Sequence, residues 1–149
     1  MGMNIFRMME LAGNALSVQR LRMNLISGNI ANAQTTRTPE GGPYRRRDVI
    51  LAEESPRDRF GGALNEAMTE GGRSVKVQKV TEDQEPPRMV FDPDHPDADA
   101  EGYVAMPNVN SLEEMVALMS TMRGYQANLQ AFQASTEMSR RALSLGRNG

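Results

Sequence analysis

A chain of 149 residues with a formal charge of −2, 39% hydrophobic side chains, three Tyr, four Phe and no Trp is sized for one domain and short of rings for a large core. The near-neutral charge gives no electrostatic reason to bind nucleic acid. The absence of cysteine excludes disulfides, thiol catalysis and zinc–thiolate sites.

Ile5, Met9, Ala12, Leu16, Met23, Ile26 and Ile30 recur at alternating steps of four and three, with Gln19 filling the gap. This predicts a helix over residues 4–32, a rod of roughly 40 Å. Asn29 and Asn32 fall in its last turn, where the terminal carbonyls lose their helical partners. Arg7 and Glu10 interrupt any secretory-signal pattern, and no run approaches the length of a membrane span. Membrane insertion is not expected, and any passage out of the cytoplasm would use a route without a cleaved signal.

Thr38-Pro39 and Gly41-Gly42-Pro43 stop the helix. Residues 33–110 then read as a small β-rich insert. Tyr44–Leu51 and Val75–Thr81 are strand candidates, and Arg88–Phe91 and Gly102–Met106 are shorter ones. Glu53–Arg73 between the first two is polar and glycine-bearing and reads as a mobile loop, with a turn of helix at 63–68.

Ser111-Leu-Glu-Glu114 has the form of a capping box, with Glu114 reaching back to the start of a second helix. Met115, Leu118, Met122, Tyr125, Leu129 and Phe132 repeat the three–four step. Thr136, Ser139 and Leu143 continue it to about Leu145, over about 50 Å. The expected fold class is α+β. Two long terminal helices, 1–32 and 111–149, pair as an antiparallel coiled-coil-like core around the insert. Such helices are marginal alone and need tertiary or quaternary cover. The seam is chemically soft: Ala12, Gln19, Thr136 and Ser139 occupy positions where a two-stranded coil prefers Leu or Ile.

The densest polar cluster is "DPDHPDADAEGYV", Asp92–Val104. Asp97-x-Asp99-x-Glu101-Gly102 has the beginning of a calcium loop, but its twelfth position is Asn108 instead of a bidentate Glu, and Pro93, Pro96 and Pro107 break the required flanks. An Asp–Pro turn whose side chains bond their own backbone is the simpler reading. His95 has no second His or Cys to work with, and no Ser stands in a nucleophile elbow. The Gly-Gly pairs lack the Lys and Ser/Thr of a phosphate loop. Arg45-Arg46-Arg47 on a strand would alternate faces and form no single patch, leaving paired arginines as the default. No catalytic residue, metal or cofactor is expected.

"ISGNIANAQTT" (Ile26–Thr36) resembles the N-terminal signature of the bacterial flagellar axial proteins. "EDQEPPRMVFDPDHPDADAEGYVAMPNVN" (Glu82–Asn110) is similar to the proximal-rod branch of the flagellar basal-body rod protein family. "RGYQANLQAF" (Arg123–Phe132) resembles that family's C-terminal helix. Only residues 53–73 have no counterpart, and Gly28 and Gly124 stand where the family commonly has other residues. The resemblance implies a structural subunit, exported by the flagellar type III apparatus, that polymerises in the periplasm with copies of itself and other rod proteins and transmits torque. Its terminal helices would be largely disordered alone and order in the assembly.

On this reading the assembly interface comprises Ile5, Met9, Leu16, Met23, Ile26, Asn29, Ile30, Asn32, Met115, Leu118, Met122, Tyr125, Asn128, Leu129 and Phe132. Asp92, His95, Asp99, Tyr103 and Asn108 shape the insert and its contacts. The competing readings are a calcium-responsive or enzymatic β module with helical arms, which lacks a complete ligand set, and a distal-rod or hook relative, which would carry a larger central domain.

Overall fold

A computed structural model describes residues 2–54 and 74–147, with side chains described for 9–52, 76–141 and 143–144. The element order is α1 (Gly2–Ala31), β1 (Arg47–Glu54), β2 (Ser74–Glu82), β3 (Arg88–Phe91), β4 (Tyr103–Met106) and α2 (Ser111–Arg147). Of the expected loop, Glu53 and Glu54 belong to β1. Residues 55–73, including the proposed helical turn at 63–68, lie outside the described residues.

The chain forms two compact units, one of residues 1–20, 50–79 and 123–149, the other of 21–49 and 80–122. Each contains a piece of both helices. The tail of α1 joins the head of α2 in one unit and the converse holds in the other, which is antiparallel order. In the first unit the helices meet where Gln19 lies over Gly124: a methyl group added at Gly124 would stand 3.2 Å from the Gln19 amide nitrogen. Gly124 therefore admits a side-chain tip, not a neighbouring backbone. At Gly28 the nearest atom to an added methyl is the Tyr44 hydroxyl, at an ordinary 3.9 Å.

The second unit carries one end each of β1 and β2 and the whole of β3 and β4. Just before β1, Arg46 accepts a backbone bond from Asp83, just after β2, at 2.8 Å, so these paired strands run in opposite directions. The first strand starts later than its β-branched pattern suggests because the Tyr44 N–H is taken by the Thr35 carbonyl at 3.0 Å. β3 and β4 form an antiparallel pair, Arg88 opposite Met106 through Phe91 opposite Tyr103. Val90 and Val104 face inward together, and Val104 is 1% exposed. Phe91 and Tyr103 form an edge-to-face pair on the outer side, with centroids 5.3 Å apart.

The turn into β4 needs glycine twice over. Gly102 has φ +83°, and a methyl group there would lie 2.9 Å from the Phe91 ring. Gly102→Ala is expected to destabilise the hairpin by about 2 kcal/mol. The check is a lower urea midpoint with an unchanged slope.

The core is sparse. Among the described side chains, the large apolar ones that are buried are Ile26 and Val104, while Asn29, Glu114, Thr121 and Ser135 are buried polar ones. In the head of α2, the inward line runs through Glu114, Ala117 and Thr121. Thr121 satisfies itself by donating to the Ala117 carbonyl at 2.8 Å, and Ser135 does the same to Ala131 at 2.9 Å. On the opposite side stand Leu112, Met115, Val116, Met119 and Met122, all exposed. Farther along α2 that outer face turns polar, with Gln126, Gln130, Gln133 and Glu137 exposed.

Candidate functional site

The second unit is organised around a buried amide. Asn29 is 0% exposed. Its Nδ2 donates to the Arg47 carbonyl at 2.9 Å and to Glu114 Oε2 at 3.1 Å. Its Oδ1 accepts from the Tyr44 hydroxyl at 3.0 Å and from the Arg47 N–H at 2.9 Å. All four bonds an Asn side chain can make are made. The Arg47 backbone fixes which atom is nitrogen, since its carbonyl only accepts and its N–H only donates.

The position on β1 explains the arrangement. Arg46 turns its carbonyl toward β2, so the N–H and carbonyl of Arg47 point to the other edge of the strand. The Asn29 amide occupies that edge in place of another strand. α1 thus tethers the first residue of β1 through a side chain.

Glu114 supplies the other half. Its side chain is 4% exposed and accepts from Arg46 Nε at 2.6 Å as well as from Asn29. Arg46 also reaches Asp48 at 3.3 Å. Burial alone would lower the Arg46 pKa, but the hydrogen bond and charge of Glu114, with Asp48, outweigh it, and the pKa is raised. The expected capping box is corrected here: Glu114 does not reach back along α2. Asn110 takes the cap, its Oδ1 accepting from the Leu112 N–H at 3.1 Å and its carbonyl from the Glu114 N–H at 3.0 Å.

Tyr44 closes the node. Its ring lies 5.8 Å from the Arg47 guanidinium. Burial raises its pKa above 10.0; the Arg47 charge opposes this, and Glu82 and Glu114 add to it. A raised pKa means the fold favours the neutral phenol. That stabilisation is complete below the unfolded pKa and is lost as pH rises through the folded one. The expected result is a fall in stability above about pH 10 that Tyr44→Phe removes, read by urea melts at a series of alkaline pH values.

The α1 residues singled out by the sequence lie along one face: Met9, Leu16, Met23 and Ile30 are half-buried and Ile26 is buried. The Ile5 side chain lies outside the described residues. Asn32 does serve the helix end, its Nδ2 donating to the Gly28 carbonyl at 2.9 Å. Asn29 does not, since its four partners lie off the helix. On α2, Leu118, Tyr125, Asn128, Leu129 and Phe132 are half-buried, while Met115 and Met122 are exposed at 45% and 46%.

The Asp-rich segment is a self-bonded turn. Asp99 Oδ1 accepts from the N–H groups of Glu101 and Tyr103 at 2.9 and 2.8 Å, and His95 Nδ1 accepts from the Asp97 N–H at 3.1 Å. Asp92 donates its N–H to the Gly102 carbonyl at 2.9 Å. Asn108 donates to Glu85 at 2.6 Å. Asp97 accepts from the Thr36 hydroxyl at 2.7 Å, joining this turn to the segment after α1. Sequence reasoning missed Tyr44, Arg47 and Glu114 as partners of Asn29, and Arg46 as the partner of Glu114. The available signal was a Glu in the first turn of α2 facing an Arg triplet at the start of a strand.

The node draws on parts of the chain that match known proteins. A family model described as "Flagella basal body rod protein" matches residues 9–37, and one described as "Flagellar basal body rod FlgEFG protein C-terminal" matches 100–145. The flagellar basal-body rod protein FlgC of Bacillus subtilis (strain 168) is 43% identical over 152 residues, covering 97% of this chain and 100% of the relative. That of Borreliella burgdorferi is 40% identical, covering 96% and 98%, and that of Salmonella typhimurium is 39% identical, covering 97% of each. These full-length similarities, spanning Asn29, Tyr44, Arg46 and Glu114 alike, place the chain in the FlgC branch of the flagellar basal-body rod protein family.

Proposed function

We propose that this chain is a structural subunit of the proximal rod of the bacterial flagellar basal body, carrying torque from motor to hook and filament. It is not an enzyme: the relatives it matches along its whole length are rod proteins. That full-length similarity also disfavours the calcium-responsive or enzymatic module and the distal-rod or hook relative. None of the helices among the described residues is long and apolar enough to cross a membrane.

The observation that carries the mechanical reading is the imbalance of the apolar surface. The second unit buries Ile26 and Val104 but exposes the stripe from Leu112 to Met122. Contiguous exposed apolar surface of this kind marks an interaction site. We infer that neighbouring rod subunits cover it, with the half-buried seam of α1 and the Tyr125–Phe132 stretch of α2, and that the type III export apparatus handles the chain before assembly. The isolated chain then keeps the node and loses helix elsewhere. Circular dichroism of dilute protein should give a helix signal well short of the 30 and 37 residues that α1 and α2 span.

The test is the triple variant Leu112→Gln, Met115→Gln and Met119→Gln. These side chains are solvent-facing, so the isolated chain should melt as before, while the variant should be missing from purified basal bodies and fail to restore swimming to cells lacking the protein. Normal incorporation would refute the stripe as an assembly face.

A further inference from the structure

The head of α2 presents its faces in an order that hydrophobicity alone would reverse. Leu112, Val116 and Met119 are exposed at 70%, 62% and 59%, while Glu114 and Thr121 are buried at 3% and 7%. Rotating this part of the helix by about half a turn would bring the Met/Leu/Val side inward. We propose that the Asn29–Glu114–Arg46 node is an orientation lock that holds the polar side of α2 against the fold and keeps the apolar stripe turned outward.

Three observations support the lock. Glu114 lies in the first turn of α2 and is tied to two different parts of the chain, to Asn29 on α1 and to Arg46 just before β1. Two anchors from two directions fix rotation about the helix axis as well as position along it. Among the described residues, no buried side-chain nitrogen or oxygen lacks a partner, so the polar interior meets no penalty that would favour turning it out. Finally, turning the helix would carry the Glu114 carboxylate away from both donors and leave the Asn29 amide short of a partner, a loss that opposes the apolar gain. A buried polar contact that specifies one arrangement against a more apolar alternative is the role a buried Asn plays in coiled-coil register. The lock does not depend on what covers the stripe.

The chain contains no cysteine, so single-cysteine reporters are unambiguous. Met119→Cys reports the outer face and Thr121→Cys the inner one. In the otherwise unaltered full-length protein, thiol labelling should be at least roughly tenfold faster at position 119 than at 121, because the buried site reacts only through opening. In the double variant Glu114→Leu with Arg46→Met, which removes the lock without leaving a buried unpaired charge, position 119 should slow and position 121 should speed up. An unchanged ratio in a double variant with parental circular dichroism overturns the proposal, as does equal labelling in the unaltered background. If the double variant loses its helix signal, Glu114→Gln decides. It keeps an acceptor for Asn29 and removes the charge facing Arg46, so the ratio must fall part of the way, and an unchanged ratio there also overturns the lock.

Discussion

Asn29→Ala is expected to destabilise the protein by about 3 kcal/mol, with a lowered urea midpoint and little change in slope. The size follows from what is left behind. The Arg47 N–H and carbonyl, the Tyr44 hydroxyl and one oxygen of Glu114 each lose a partner within 3.1 Å. A buried polar group deprived of its partner costs about 1–3 kcal/mol, and the half-buried members regain part of that from water. Asn29→Asp is the sharper control. Its carboxylate accepts from Tyr44 and from the Arg47 N–H but cannot donate to the Arg47 carbonyl, and it brings a second negative charge to Glu114. It should be at least as damaging as alanine at neutral pH. Its penalty should shrink as pH falls through the carboxylate range, because burial and the neighbouring charge raise its pKa and the protonated acid regains a donor.

Periodic features were legible in the sequence. The three–four step of Ile5 to Ile30 and of Met115 to Phe132 predicts helices over 4–32 and 111–145, and the structure has them at Gly2–Ala31 and Ser111–Arg147. Arg88–Phe91 is a strand as expected, and Gly102–Met106 shortens by one residue because Gly102 makes the turn. β1 begins at Arg47 and not at Tyr44 because Tyr44, a strand residue by type, gives its backbone and hydroxyl to Thr35 and Asn29 instead.

What periodicity does not contain is a long-range polar pairing. Asn29 and Glu114 are 85 residues apart, and each has a local role that suits it, helix end for one and capping box for the other. Nothing in a single sequence ranks the distant partner above the local one. Hydrophobic periodicity likewise draws the seam on α2 through Met115 and Met122. Hydrophobicity votes for those positions, and the buried node turns Glu114 and Thr121 inward in their place.

Arg46→Met should cost about 3 kcal/mol, more than Glu114→Gln at about 1–2 kcal/mol, although both break the same 2.6 Å pair. The asymmetry comes from burial. Removing Arg46 strands a carboxylate whose side chain is 4% exposed and which retains Asn29 as a donor, whereas removing the charge of Glu114 leaves a guanidinium 33% exposed, with water and Asp48 still in reach. Arg46→Lys should fall between them, since one ammonium cannot reproduce the fork that holds Glu114 through Nε and Asp48 through Nη1. Added salt should hardly change the cost of Arg46→Met, while it should erase what little the exposed Arg47–Glu82 pair contributes. The double variant Arg46→Met with Glu114→Leu replaces a buried ion pair with apolar side chains, an exchange that is often neutral or better. It should therefore recover most of the stability lost by Arg46→Met, and the double-mutant cycle completed by Glu114→Leu alone should give a coupling of at least about 2 kcal/mol from the urea midpoints. Such recovery would mean that the pair adds little net stability, and that its contribution lies in selecting which face of α2 the fold encloses.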